Sequence, residues 1–246
     1  MKPEQDAFGQ ALMHYQNGKS RQYTVERDDG HIDHLNTGTY FQVHEEWPTY
    51  EREAMKSVKG RVLDVGCGAG RHAIYLQNTG FDVLGIDASP LAIEICKHRG
   101  LKNAKVMPIE EINYGSGSFD TVLMMGNNFG LFGSVKKARV LLERIYRMTT
   151  NDAVLIASSN DVYNTSDPVH LMYQETNRKR GRMSGQIRLR VRFTQYTTPW
   201  YDYLMVSKEE MEGIIIGTGW QVQEIIESEG SNYVAIIHKK SGACAP

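Results

Sequence analysis

The chain has 246 residues, of which 41% are hydrophobic and 23% charged, with a formal net charge of -1 and a pI near 6.7. That length and composition suit one globular α/β domain with decoration, and the charge balance argues against a broad basic surface for nucleic acid. Cys67, Cys96 and Cys244 form neither a disulfide framework nor a zinc spacing, no run approaches the roughly 18 apolar residues of a membrane span, and Met1 to Asp6 lack an apolar signal core. The expected compartment is a reducing cytoplasm, with no membrane and no metal.

Residues 1 to 59 are polar. They predict a short helix from Asp6 to Gln16 and another from Thr49 to Val58, with Pro48 near its start. Between them, Asp28-Asp29-Gly30-His31-Ile32-Asp33-His34 reads as a mobile loop.

From Arg61 to Ser158 the pattern alternates apolar strand with amphipathic helix, the signature of βαβ units and a parallel sheet. Arg61-Val62-Leu63-Asp64-Val65 reads as a buried strand, and Gly66, Gly68 and Gly70 after it permit a tight turn with close backbone approach to a ligand. The spacing GxGxG departs from the dinucleotide fingerprint GxGxxG. Asp64, two residues before the first glycine, would repel a phosphate, so a cationic or neutral ligand fits better. A second strand, Phe81 to Asp87, ends in a carboxylate about 20 residues after the glycines, the distance at which an acidic residue meets ribose hydroxyls. Ser89-Pro90 starts a helix running to His98, Ser118 to Met125 supplies a further strand, Val135 to Met148 a helix and Ala153 to Ala157 a strand.

After Asn160 the rhythm changes. Gln186-Ile187-Arg188-Leu189-Arg190-Val191-Arg192-Phe193 alternates with period two, giving one apolar and one basic face. Trp200 to Met205 predicts a partner strand. Ser207-Lys208-Glu209-Glu210 is a capping box opening a helix to Ile216, and strands follow at Gln221 to Ile226 and Tyr233 to His238.

Asp64-x-Gly66-x-Gly68-x-Gly70, Gly85-Ile86-Asp87-x-Ser89 and Ser118-Phe119-Asp120, in that order, resemble the class I S-adenosylmethionine-dependent methyltransferases. The resemblance spans roughly residues 55 to 240. It implies a Rossmann-like sheet of seven strands flanked by helices, the last strand antiparallel, here with a small antiparallel β insert. It also implies a division into an N-terminal helical lid, residues 1 to 59, and a methyltransferase domain, residues 60 to 246, with residues 161 to 206 as an insert on the substrate side.

Carried over position by position, the resemblance puts the backbone of Gly66, Cys67 and Gly68 against the methionine moiety of S-adenosylmethionine. Asp64 would orient the ammonium group, Asp87 would accept from the ribose, and Ala88 and Ile109 would flank adenine. The acidic-then-apolar pair common after the third strand is replaced by Pro108-Ile109, leaving Glu110 or Glu111 for the adenine amino group. Met125, Asn127 and Asn128 follow the fourth strand, where the family faces the transferring methyl, with Met125 counted among the contacts to the donor. Asn127 is therefore a catalytic candidate and Asn128 a substrate contact, the alternative being local backbone caps. His44 or Glu46 could serve as a base, with Trp47 beside it as a substrate contact or, like Tyr50, a packing residue, and Tyr40 and Phe41 open to either reading.

The basic run Arg178, Lys179, Arg180, Arg182, Arg188, Arg190 and Arg192 admits three readings: a solvated face, an anionic small substrate held by a residue such as Arg190, or an RNA phosphate contact. Trp200 and Tyr203 would wall the acceptor. The expected activity is methyl transfer from S-adenosylmethionine to a nitrogen or oxygen of a small molecule, by a monomer or homodimer. The alternatives are an RNA or protein methyltransferase, or a protein that binds the donor without turnover.

Overall fold

The computed structural model describes residues 2–19 and 22–240; Cys244 lies outside the described residues. Its main sheet has the order β11-β12-β7-β6-β3-β4-β5, built from β3 (Arg61–Val65), β4 (Asp82–Asp87), β5 (Asn103–Val106), β6 (Phe119–Met124), β7 (Thr149–Asn160), β11 (Trp220–Glu227) and β12 (Asn232–Lys239). β4 with β5 and β6 with β7 are parallel, while β12 runs antiparallel to both β7 and β11. This is the Rossmann-like arrangement with an antiparallel last strand that the sequence implied. The helices α3 (Arg71–Asn78), α4 (Pro90–His98), α5 (Val135–Met148) and α7 (Lys208–Ile215) alternate with these strands.

A smaller antiparallel sheet has the order β10-β8-β1-β2. Its strands are β1 (Gln22–Arg27), β2 (Ile32–Asn36), β8 (Gln186–Phe193) and β10 (Tyr201–Leu204), and the two-residue β9 (Tyr196–Thr197) pairs with β8. The segment expected to be a mobile loop is instead the turn and second strand of a hairpin. Gly30 takes φ +91°, and Arg27 and His31 close the turn through Arg27 N–H to the His31 carbonyl at 2.9 Å. The alternation was invisible because every residue of β2 is exposed. Expectation and structure also differ inside the insert, which carries a helix, α6 (Pro168–Lys179), capped by Asp167. The buried face of α6 is mostly amide, Gln174 and Asn177, whose side chains donate to the carbonyls of Val162, Ser184 and Gln186. A hydrophobic period does not reveal a face of that kind.

The chain divides into two compact units. The first comprises residues 1–47, 64–111 and 188–201. In it α1 (Ala7–Gln16) is capped by Asp6, whose Oδ1 accepts from Gly9 N–H at 2.9 Å and whose Oδ2 accepts from Ser89 Oγ at 2.9 Å and Leu91 N–H at 3.1 Å. The helices α1 and α4 approach closely. A Cβ on Gly9 would stand 2.4 Å from Ser89 Oγ, so glycine is required by the contact rather than by its dihedrals. Leu12, Ala69, Ala92 and Ile95 form one core cluster, and Ala7, Ala11, Tyr23, Val191 and Phe193 another.

The second unit comprises residues 48–63, 112–187 and 202–246. α2 (Thr49–Met55) ends three residues before the expected Val58. β7 begins at Thr149, ahead of the expected Ala153, because its polar first residues pair with β6 across an irregularity. The capping box at Ser207 is formed as expected: Ser207 Oγ accepts from Glu210 N–H at 3.2 Å, and Glu210 accepts from Ser207 N–H at 3.0 Å.

Candidate active site

The end of β3 and the end of β4 hold the two carboxylates that the sequence singled out. Between them the chain turns through Gly66, Gly68 and Gly70 at φ +72°, +54° and +80°, a left-handed series that side-chain-bearing residues rarely adopt. The amides of this turn are committed within the protein. Gly66 and Cys67 N–H donate to the Ile86 carbonyl at 2.8 and 3.0 Å, and Gly68 N–H donates to Asp87 Oδ2 at 2.9 Å. Asp87 Oδ1 accepts from Ser89 N–H at 2.8 Å, so the carboxylate is held at a fixed angle with lone pairs to spare.

Asp64 is 2% exposed, and its Oδ2 has no hydrogen-bond partner among the described residues. Burial and the nearby charge of Asp87 push its carboxyl up to about 7, against the opposing pull of the Ala73 N–H and Arg71. Asp87 rises to about 6, chiefly through burial, although the N–H groups of Ser89 and Gly68 favour its charged form. Two carboxylates of raised pKa thus stand beside one glycine turn, with Arg71 the cation that acts on Asp64.

Other candidate residues belong to the same unit. Cys67 is buried with its Sγ 3.8 Å from that of Cys96, and both thiols are free. Ala88 follows β4. Ile109 is buried in a 3-10 turn, and Glu110 beside it is exposed. His44 lies in the 3-10 turn His44–Glu46, its ring stacked on Tyr75 at 4.2 Å and edge-on to Trp47 at 5.0 Å. Trp47 is 3% exposed, ringed by His72, Tyr75 and the Arg71 guanidinium, and its Nε1 donates to the Gln42 carbonyl.

Arg190 turns its fork on Glu26, Nε to Oε2 at 3.0 Å and Nη2 to Oε1 at 2.9 Å, while its guanidinium stacks 4.5 Å from the Trp200 ring. Arg192 reaches the same Glu26 at 3.1 Å. The basic face of β8 is thus answered by a carboxylate from β1, far away in sequence.

In the second unit, Met125 is buried at the end of β6. Asn127 takes φ +64°, one of two described non-glycine residues with positive φ. Its N–H donates to Ser158 Oγ at 2.7 Å, and its carbonyl accepts from Tyr203 Oη at 2.6 Å and Gly130 N–H at 2.9 Å. Asn128 opens a 3-10 turn, and the Tyr203 ring lies against Gly130, where a Cβ would fall 2.2 Å from it.

Sequence reasoning left several residues of the first unit unassigned. The Tyr40 ring covers the glycine turn, its Cδ1 3.3 Å from where a Gly68 Cβ would be. Burial, with a smaller contribution from the charge of Asp87, raises the phenols of both Tyr40 and Tyr201. Arg99 donates from Nη1 to the Ala69 carbonyl at 2.5 Å and the Tyr40 carbonyl at 3.4 Å. Only the aromatic density around Tyr40 and Tyr201 could have signalled these positions; Arg99 carried no signal.

Residues 62–152 match the profile of a methyltransferase-domain family. The structure of an S-adenosylmethionine-dependent methyltransferase from Bacteroides fragilis, in complex with S-adenosyl-L-homocysteine, superimposes with a TM-score of 0.83 at 26% identity over 97% of each chain. Over residues 62–152 the chain is a domain of the methyltransferase family, and its fold is that of an S-adenosylmethionine-dependent methyltransferase. S-adenosylmethionine is the cofactor of that family. The chain is also 25% identical over 142 residues to a glycine/sarcosine N-methyltransferase from Halorhodospira halochloris, 54% of this chain and 53% of that one. It is 31% identical over 121 residues to a ubiquinone/menaquinone biosynthesis C-methyltransferase from Citrifermentans bemidjiense, 44% of this chain and 50% of that one. The matches to these curated relatives span about half their length. No helix of the described residues is long and apolar enough to cross a membrane.

Proposed function

We propose that this methyltransferase binds S-adenosylmethionine in its first unit and transfers the methyl group to a nitrogen or oxygen of a small molecule. The observation that carries the donor assignment is the Asp64 carboxylate, buried, ionisable and unpartnered at Oδ2. A buried charge is strongly unfavourable without a counter-charge, and the donor brings an ammonium and a sulfonium. When bound, it supplies a methyl on positively charged sulfur, which a lone pair displaces in line.

The residues do the rest. Asp64 pairs with the ammonium, and Asp87 accepts from the ribose hydroxyls through the lone pairs that Gly68 and Ser89 leave open. Ala88 and Ile109 give apolar flanks to the adenine, with Glu110 or Glu111 at its amino group. Because the amides of Gly66, Cys67 and Gly68 are already engaged, the turn contributes shape rather than donors.

On the acceptor side we assign Asn127, with Asn128, while Met125 is assigned to the donor. The left-handed backbone of Asn127 is fixed by Ser158 and Tyr203, which commits Tyr203 to positioning. For His44 and Trp47 the ring contacts favour packing over proton transfer. The small-molecule reading rests on Glu26, which occupies Arg190 and Arg192 and removes two cations from any phosphate-contacting strip. Two free thiols 3.8 Å apart suit a reducing cytoplasm.

Titration calorimetry with S-adenosylhomocysteine tests the donor assignment. The wild type is expected to bind and Asp87→Ala to bind at least tenfold more weakly; no binding by folded wild type overturns the reading. A screen with methyl-labelled donor then tests the acceptor class. Asn127→Ala is expected to lose turnover while keeping its affinity for S-adenosylhomocysteine.

A further inference from the structure

The first unit contains a pair of hydrogen-bonded phenols that belongs to none of the donor motifs. Tyr40 lies over Gly68, its ring Cδ1 3.3 Å from where a Cβ on that glycine would stand. Its position is fixed from two directions. Arg99 takes the Tyr40 carbonyl and the Ala69 carbonyl of the glycine turn together, while Tyr23 Oη shares a hydrogen bond of 2.8 Å with Tyr40 Oη. Tyr23 is itself anchored on β1, 5% exposed, packed with Val191 and Phe193 and edge-on to Phe8 at 5.9 Å. β1 pairs with β8 in the register Val25↔Val191, so the small sheet sets where Tyr23 stands.

We propose that Tyr23 is a positioning residue for the donor compartment: through its hydroxyl it holds Tyr40 as a cover over the glycine turn. The inference rests on the donor reading above and extends it to a residue outside every family motif in the sequence. The glycine that the Tyr40 ring covers donates its N–H to Asp87 Oδ2 at 2.9 Å, so the ring stands over the turn that holds the carboxylate assigned to the ribose. The antiparallel sheet thereby gains a role: β1 braces the donor compartment, and the Glu26 clamp on Arg190 and Arg192 tightens the pairing of β1 with β8.

The test is a double-mutant cycle of Tyr23→Phe and Tyr40→Phe, read by calorimetry and stopped-flow with S-adenosylhomocysteine. Each variant keeps its ring and loses one hydroxyl. Each is expected to bind about fivefold more weakly, chiefly through faster dissociation, because one hydrogen bond is lost. The double variant is expected to bind no more weakly than either single one, since both hydroxyls belong to the same bond. Tyr196→Phe, in the same packed cluster, serves as the control and is expected to bind like the wild type. Affinities of both single variants within twofold of a wild type that binds overturn the inference alone, as do additive losses or an equal loss in Tyr196→Phe. A wild type that does not bind overturns the donor reading and this inference with it.

Discussion

Replacing Asp64 by Asn isolates the buried charge on which the donor assignment depends. The carboxyl is displaced from 3.8 to about 7, mainly by burial and by the field of Asp87. At about 1.36 kcal/mol for each pH unit, that displacement corresponds to at most about 4 kcal/mol of destabilisation of the donor-free fold. The sign follows from the direction. The folded protein holds this proton more tightly than the unfolded chain, so the penalty is absent below about pH 4, grows as pH rises, and is complete above about pH 7. Asn is isosteric and uncharged. The donor-free Asp64→Asn protein should therefore gain stability over the wild type as pH rises from 4 to 7 and hold that gain at pH 8. Urea unfolding of both proteins at pH 5 and pH 8 measures this difference. Donor affinity should move the other way, falling about tenfold or more at pH 8 with the loss of a charge-assisted bond to the ammonium. In the wild type the affinity itself should fall as the pH drops below about 7 and Asp64 takes up a proton. A gain in stability independent of pH, or a variant less stable than wild type at pH 8, would refute the reasoning.

Gly68→Ala should fold and lose donor binding, because φ +54° is strained for alanine and the new Cβ meets Tyr40 at 3.3 Å; calorimetry with S-adenosylhomocysteine, with circular dichroism as the fold control, checks it. Asp6→Ala should cost about 1 to 3 kcal/mol in urea unfolding, since it removes the cap of α1 and strands Ser89 Oγ and Leu91 N–H. Glu26→Gln should free Arg190 and Arg192 and raise retention on a heparin column at low salt; unchanged retention would mean that the clamp does not govern the basic face.

The central sheet was legible because its strands are short apolar runs between glycine turns and capped helices. Ser89-Pro90 and Ser207 to Glu210 announced helix starts that the structure keeps almost to the residue. The smaller sheet was only half legible. The period-two alternation marked β8, but its main partner is β1, about 160 residues earlier, and no local pattern encodes a pairing at that distance. β2 and α6 were missed for a common reason: one is exposed on both faces and the other buries amides, so neither carries an apolar stripe. Asp64 and Asp87 stood out as carboxylates at strand ends. The rings of Tyr40 and Tyr201 did not, because their importance comes from where the N-terminal segment and β10 place them.

The same distinction explains how the basic run could mislead. Seven cations between Arg178 and Arg192 without an acidic residue among them resemble an anion site when only neighbours in sequence are counted. The antiparallel register sets Glu26 opposite Arg190, and a single carboxylate then engages two guanidiniums. Both arginines hold the Glu26 carboxyl below its ordinary range, the Arg190 hydrogen bond most of all. An arginine whose fork is filled by a carboxylate and whose face is stacked on Trp200 has little left to offer an incoming anion. The opposite holds at Asp64, where the fold leaves an acidic oxygen buried without any partner. Charge satisfied across the small sheet and left unsatisfied at Asp64 is the contrast on which the proposed seating of a cationic donor at the turn rests.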